Sequence, residues 1–233
     1  MTAIVLIVCA LAGYLLGSVN CGIIMTRLFS KKDIRTQGSG NAGMTNVLRS
    51  VGKLPALLTF IGDFLKCVVA VLLAGVILRL FGLSGEIYAY SMVWKAAQLC
   101  AGTACVLGHN FPVYYGFRGG KGIVCSAAMM AIFDWRVFVI ILATFGIVFF
   151  CKFIISLASV VCAAMYPVYT FLLCYFLDFS GSPLASHADC SVGYLVMVTL
   201  AAVFLGGLAL FMHRANIGRL IRGEEKPIKA KKR

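Results

Sequence analysis

Long apolar runs decide what this chain can become. Seven stretches, residues 2–25, 55–80, 88–107, 123–133, 137–151, 154–177 and 192–211, are almost continuously hydrophobic. A helix that is apolar all round, rather than along one stripe, has lipid for a solvent. In lipid only helices or closed barrels satisfy their own backbone polar groups. Composition agrees, with 61% of the 233 residues hydrophobic and 12% charged, where a soluble domain carries about 25% charged residues. The expectation is an all-α polytopic membrane protein of about seven spans. The fourth run is short against the roughly 20 residues that cross a bilayer core, so six spans is the alternative. The first run has no basic start and is too long for a signal peptide, so it reads as an uncleaved helix.

Charge then sets the orientation. Lys and Arg total 21 against 8 acids, a formal net charge of +13. The surplus sits in short stretches between apolar runs rather than on a polar folded surface, which argues against a nucleic-acid partner. Arg27, Lys31, Lys32, Arg35, Arg49 and Lys53 follow the first run, Arg118 and Lys121 follow the third, Lys152 follows the fifth, and eight more, from Arg214 to Arg233, crowd the C-terminal end. In all, 17 of the 21 fall on one side. The opposite loops hold Arg79, Arg136, Glu86, Asp134, Asp178 and Asp189. The excess of basic residues on one side marks it as cytoplasmic. With seven spans the N-terminus is outside and the C-terminus inside. Residues 1–222 read as one membrane domain, and 223–233 as a basic cytoplasmic tail with no part in the chemistry.

The ten cysteines carry no C-x-x-C pair and no metal-ligand spacing. Nine of them lie in or beside apolar runs as small helix residues, and Cys190 sits in a polar loop without an evident partner. No metal and no cofactor is expected. Asp63 and Lys66, three residues apart in the second run, read as a helix-internal ion pair, and Lys95 as a cation that snorkels outward.

Three cytoplasmic stretches do not look like ordinary loops. The first runs Gly38-Ser39-Gly40-Asn41-Ala42-Gly43-Met44-Thr45-Asn46-Val47-Leu48-Arg49. Closely spaced glycines let backbone N–H groups form an anion-binding nest. Ser39, Thr45 and Asn46 add neutral donors, and Arg49 a fork that matches phosphate oxygens. The second runs from Gly108-His109-Asn110 to Arg118-Gly119-Gly120-Lys121-Gly122 and leads into the fourth run. A glycine loop feeding a helix N-terminus is a ready phosphate site. It is not a Walker loop, because Gly122 stands where Ser or Thr is required. His109 is read as structural. The third is His213-Arg214-Ala215-Asn216-Ile217-Gly218-Arg219-Leu220. If the last helix continues, His213 and Asn216 share a face at i, i+3.

Taken together, the three stretches resemble the signature motifs of the bacterial acyl-phosphate:glycerol-3-phosphate acyltransferases, the PlsY family. Those motifs read G-S-G-N-x-G-A-T-N-x-x-R, H-x-F-P-x-F-x-x-F-K-G-G-K-G and H-x-x-N-I-x-R-L, in this order and over nearly the whole chain. Met44 stands for the usual Ala, Tyr114 for Phe and Arg118 for Lys.

The resemblance implies transfer of a long-chain acyl group from an acyl phosphate to the sn-1 hydroxyl of glycerol 3-phosphate, giving lysophosphatidic acid and phosphate. It also implies roles. Ser39, Arg49, Lys121, His213 and Asn216 would hold glycerol 3-phosphate, with Lys121, His213 and Asn216 nearest the chemistry. Gly38, Gly40, Asn41, Gly43, Thr45, Asn46, Gly119 and Gly120 would cradle the acyl phosphate, with Ser156 or Ser159 lining the site. The general base is either His213 or a substrate phosphate oxygen. The His and Asp five positions apart found in acyltransferases that use thioester donors are missing, since Tyr114, Val192 and Gly218 follow the three histidines at that distance. A transporter for phosphate-bearing anions is the alternative. Against it, there is no inverted repeat and no pair of broken spans at midplane.

Overall fold

The computed structural model describes residues 1–87, 91–179 and 190–227. The expected start of the third span at Tyr88, most of the polar loop 178–191 and the end of the basic tail lie outside these residues. The described chain is helical, and it divides into two compact units, residues 1–133 and 134–233.

Unit 1 contains α1 (Thr2–Ser18), α2 (Cys21–Ser30), α3 (Met44–Ser50), α4 (Lys53–Leu80), α5 (Met92–Asn110) and α6 (Ile123–Phe133). The first apolar run is not one helix as expected. Val19 is extended, and the Asn20 side chain accepts from Ile23 N–H at 3.1 Å. An Asn that caps a new helix ends the old one. Hydropathy hides this break, because apolar residues continue on both sides. Along α1, Ile4, Ile7, Leu11 and Leu15 stay exposed while Val5, Cys9, Gly13 and Gly17 turn inward. The inward glycines let α1 lie on α5 backbone to backbone. A Cβ at Gly13 would strike the Ala101 carbonyl, and one at Gly17 the Cys105 carbonyl. Small residues are the usual means of such close approach where lipid removes the hydrophobic drive. Lys95 does not snorkel outward. It donates to Phe133 O at 2.9 Å and lies over the Phe133 ring, which gives the C-terminal carbonyl of α6 a cation.

Unit 2 contains α7 (Trp135–Lys152), α8 (Ile155–Leu173), α9 (Val192–Met212) and α10 (Arg214–Ile221). α8 packs on both α7 and α9. Pro167 inside α8 leaves the Ala163 carbonyl without its helical donor, and Gly206 of α9 approaches that same carbonyl. At the end of the unit where α7 begins, Arg136 binds Asp134 at 2.8 Å and Asp178 at 2.6 Å. Cys190 is not the lone loop cysteine expected. It is buried, with its sulfur 3.7 Å from that of Cys174.

Five helical segments among the described residues are long and apolar enough to cross a membrane: Thr2–Ser30, Lys53–Leu80, Trp135–Lys152, Ile155–Asp178 and Val192–Met212. The other two predicted runs differ for physical reasons. α5 carries Lys95, Gln98, His109 and Asn110, and α6 has only 11 residues.

Candidate active site

In unit 1 the first motif is a loop folded around one side chain. Asn46, at the start of α3 and buried, accepts from Ser39 N–H at 3.0 Å. Its amide nitrogen faces the carbonyls of Ile34, Gln37 and Asn41 at 2.9–3.3 Å. Gly38 and Gly40 take positive φ, 52° and 71°, and a Cβ at Gly38 would collide with the Asn46 amide oxygen. Only glycine fits there. Asn46 is thus spent on shaping the loop from inside. Ser39 and Arg49 are exposed, and Thr45 is half-buried at the start of α3.

Asp33 anchors the approach to this loop. It accepts from Arg35 at 2.8 Å and from Arg27 at 3.3 Å. The hydrogen bonds from Arg35 hold its carboxyl well below the usual carboxylate range. Arg35 also donates to Tyr115 O at 2.6 Å, and Arg27 lies over the Tyr115 ring. One acid and two arginines therefore tie the first motif to the second. In the sequence Arg27 and Arg35 read only as part of a basic stretch, and nothing there singles out Asp33.

The second motif loops back on the end of α5. Gly119 N–H donates to Asn110 O and Gly120 N–H to His109 O, each at 3.1 Å. Gly120 rests on the His109 ring, where any Cβ would overlap Nε2. Gly122 has φ 78° and opens α6, whose first-turn N–H groups and positive dipole end point back to the loop. Lys121, half-buried, sits between these glycines. The Gly119 and Gly120 N–H groups are thus spent on α5 carbonyls, and the positive end of α6 and the Lys121 charge are what the loop brings to an anion.

In unit 2 the last helix does not run on. His213 adopts φ −96°, ψ 4°, ends α9 and precedes α10. Its Nδ1 lies 2.8 Å from Ala209 O. A carbonyl only accepts, so Nδ1 carries the proton in this contact. Asn216 falls on the first turn of α10 and is buried beside a residue that the sequence reading had set aside. Glu225 accepts from Ser156 at 2.8 Å, from Asn216 at 2.8 Å and from Arg219 at 2.5 Å. These bonds, Arg219 and Ser156 before Asn216, offset burial and hold its carboxyl below the ordinary range. The tail is therefore not idle up to this residue. Ser159, one helical turn along α8 from Ser156, is also buried. No sequence signal singled out Glu225, because an acid in a basic tail looks solvated.

Comparison with known proteins gives this arrangement a chemical context. A family described as Glycerol-3-phosphate acyltransferase matches residues 7–223. The chain is 39% identical to a glycerol-3-phosphate acyltransferase of Rhodospirillum rubrum over 100% of its own length and 95% of that protein. It is 36% identical to one of Clostridioides difficile over 97% of each. The crystal structure of PlsY, an integral membrane glycerol 3-phosphate acyltransferase, in its glycerol 3-phosphate form superposes with a TM-score of 0.74 and 30% identity over 96% of both chains. The lysophosphatidic acid form gives 0.70. Over its full span, this chain belongs to the glycerol-3-phosphate acyltransferase family, as an integral membrane acyltransferase of phospholipid synthesis.

Proposed function

We propose that the chain transfers a long-chain acyl group from an acyl phosphate to the sn-1 hydroxyl of glycerol 3-phosphate at the cytoplasmic face of a bacterial membrane. The observation that carries this reading is the second motif, where Lys121 stands in a glycine loop that opens a helix. Such a loop suits a phosphate group, and both substrates present one. Membership of the family supports glycerol 3-phosphate as acceptor. The long motifs and the missing thioester-type His and Asp pair support acyl phosphate as donor.

The step balances without help from a cofactor. The sn-1 oxygen bonds to the acyl carbon, the bond from that carbon to the phosphate oxygen breaks, and the hydroxyl proton passes to the leaving phosphate. An acyl phosphate is already activated, so no acyl-enzyme is needed. The protein positions the two anions and stabilises negative charge as it develops. Arg49 and Lys121 supply charged donors, and Ser39 a neutral one. Gly38, Gly40, Gly43, Gly119 and Gly120 let the backbone fold close to the acyl phosphate, although the N–H groups of Gly40, Gly119 and Gly120 are spent on carbonyls, and Asn41, Thr45 and one of Ser156 and Ser159 offer it polar groups. His213 donates from Nε2 as imidazolium, and Asn216 is aimed by Glu225. The 17-residue basic excess supports the cytoplasmic placement of all these groups.

Purified protein supplied with labelled glycerol 3-phosphate tests the donor. Palmitoyl phosphate should yield lysophosphatidate, whereas palmitoyl-CoA and palmitoyl-ACP should yield none. Robust acylation from either thioester, in a preparation free of phosphate-transferring enzymes, overturns the reading.

A further inference from the structure

The most costly feature of unit 1 lies behind the glycine loop, and His109 is the one motif residue in it. Asp63 and Lys66 of α4 are 2% and 9% exposed, and His109 of α5 is 3% exposed. Lys66 Nζ lies 2.8 Å from Asp63 Oδ1, 3.0 Å from His109 Nδ1 and 2.7 Å from the Val19 carbonyl. Charges buried this deeply in a membrane helix are expensive, and by default they mark function. His109 Nδ1 thus faces the Lys66 ammonium at 3.0 Å and the Asp63 carboxylate at 3.5 Å. Both partners come from α4, and together they hold the ring of His109 in place.

The cluster has the composition of a metal site, since Asp63, His109 and Cys125 bring their ligand atoms within 4.8 Å of one another. A metal reading fails on geometry, because Lys66 already holds a cation between Asp63 and His109. What the cluster grips is the second motif, at both ends. Before Lys121, Gly120 is seated on the His109 ring and bonded to its carbonyl. After it, the Cys125 thiol in the first turn of α6 donates to Asp63 O at 3.3 Å. Val19 and Cys21, whose N–H reaches Asp63 Oδ1 at 3.4 Å, bring in the break between α1 and α2 that leads to the first motif.

We infer that Asp63, Lys66 and His109 are positioning residues, an internal ion network that sets the Gly119–Gly122 loop and so aims Lys121 at the phosphate of glycerol 3-phosphate. The inference rests on the reading of Lys121 as a phosphate donor. It adds that the affinity of this loop is tuned from inside the helix bundle, by groups that never touch substrate.

Equilibrium binding of glycerol 3-phosphate to the purified full chain, with inorganic phosphate as a second probe, tests it without any acyl donor. Lys66→Met should raise Kd for both probes roughly tenfold, the loss of about one charge-assisted bond. In a Lys121→Ala background the same change should add less than about twofold, because residues acting through one group are not additive. A network that serves only the fold predicts equal penalties in both backgrounds, and that result overturns the proposal. The neutral pair Asp63→Asn with Lys66→Met guards against misfolding from a single uncompensated charge, and His109→Gln, with its amide in place of the ring, probes the seat itself. Loss of the folded protein in every one of these variants assigns the network to stability alone and also overturns the proposal. If wild type binds phosphate with the expected coupling but ignores glycerol 3-phosphate, the substrate reading fails while the positioning network stands.

Discussion

The two units hold their polar groups in opposite ways. Unit 1 keeps an aspartate, a lysine and a histidine in the interior, beneath two loops that are themselves mostly glycine and backbone. Unit 2 keeps its helix interiors uncharged and confines charge to their ends, Arg136 with Asp134 and Asp178 at one, Glu225 with Arg219, Ser156 and Asn216 at the other. The difference follows from what each must hold. A glycine loop has few side chains to fix its own shape, so buried polar groups must do it, Asn46 in the first motif and His109 under the second. A histidine and an asparagine on a helix corner need only local partners, and the Ala209 carbonyl and the Glu225 carboxylate supply them.

Removing a charged donor from unit 1 should produce the largest effect on catalysis. Lys121→Ala or Arg49→Ala removes charge-assisted bonds of about 1.5–3 kcal/mol, a loss of roughly 10- to 150-fold in kcat/KM. Steady-state kinetics in both substrates should place more of the Arg49 loss in KM for glycerol 3-phosphate. A loss confined to the acyl donor would reassign that residue.

His213 sharpens the contrast, because its role shows in a pH profile rather than in size alone. With Nδ1–H held by Ala209 O, Nε2 donates only as imidazolium and accepts only when neutral. As a donor it gives wild type a rate that falls towards alkaline pH, and His213→Gln keeps much of the activity while losing that limb. As a base it gives a rate that falls towards acid, and the same variant loses about 10²–10⁴-fold. The first outcome is expected.

How far the sequence told this in advance depends on the kind of signal. The three motifs were legible, because glycine spacing and cations between apolar runs have few other physical uses. The Asp63–Lys66 pair was legible from its i, i+3 spacing. Its third member was not, since His109 arrives from 43 positions away, through the packing of α5 on α4. The break at Asn20 was masked by apolar flanks, and the turn at His213 by the continuing amphipathic pattern. Glu225 was invisible because nothing in a basic tail announces which acid folds back.

Glu225 therefore gives the next test, of intermediate size. Glu225→Gln keeps an acceptor for Ser156 and Asn216 but loses the charged partner of Arg219, and activity should fall by about 3- to 10-fold. Its pH signature has a definite sign. A carboxyl held below its ordinary 4.5 stabilises the fold above that value and loses the contribution as pH falls through the lower, folded value. The difference in Tm between wild type and Glu225→Gln should thus be constant from neutrality to about pH 5 and shrink only in stronger acid.

The smallest effect on activity belongs to the far end of unit 2. Arg136→Met removes the cation paired with the buried Asp178, and removing one partner of such a pair costs roughly 3–5 kcal/mol of stability. Thermal unfolding should register that loss clearly. At a temperature where the variant is folded, kcat/KM should stay within about twofold of wild type, and a larger drop would draw this cluster into the chemistry.

All of these outcomes presume catalysis by positioning two bound anions, without an acyl-enzyme. A rapid-mix experiment with excess palmitoyl phosphate, read for phosphate and lysophosphatidate together, tests this most directly. The account predicts that both appear in equal amounts, with no initial burst, and that phosphate release ceases when glycerol 3-phosphate is left out. A burst of phosphate equal to the enzyme concentration in the absence of glycerol 3-phosphate, with the acyl group recovered on the protein, would contradict it.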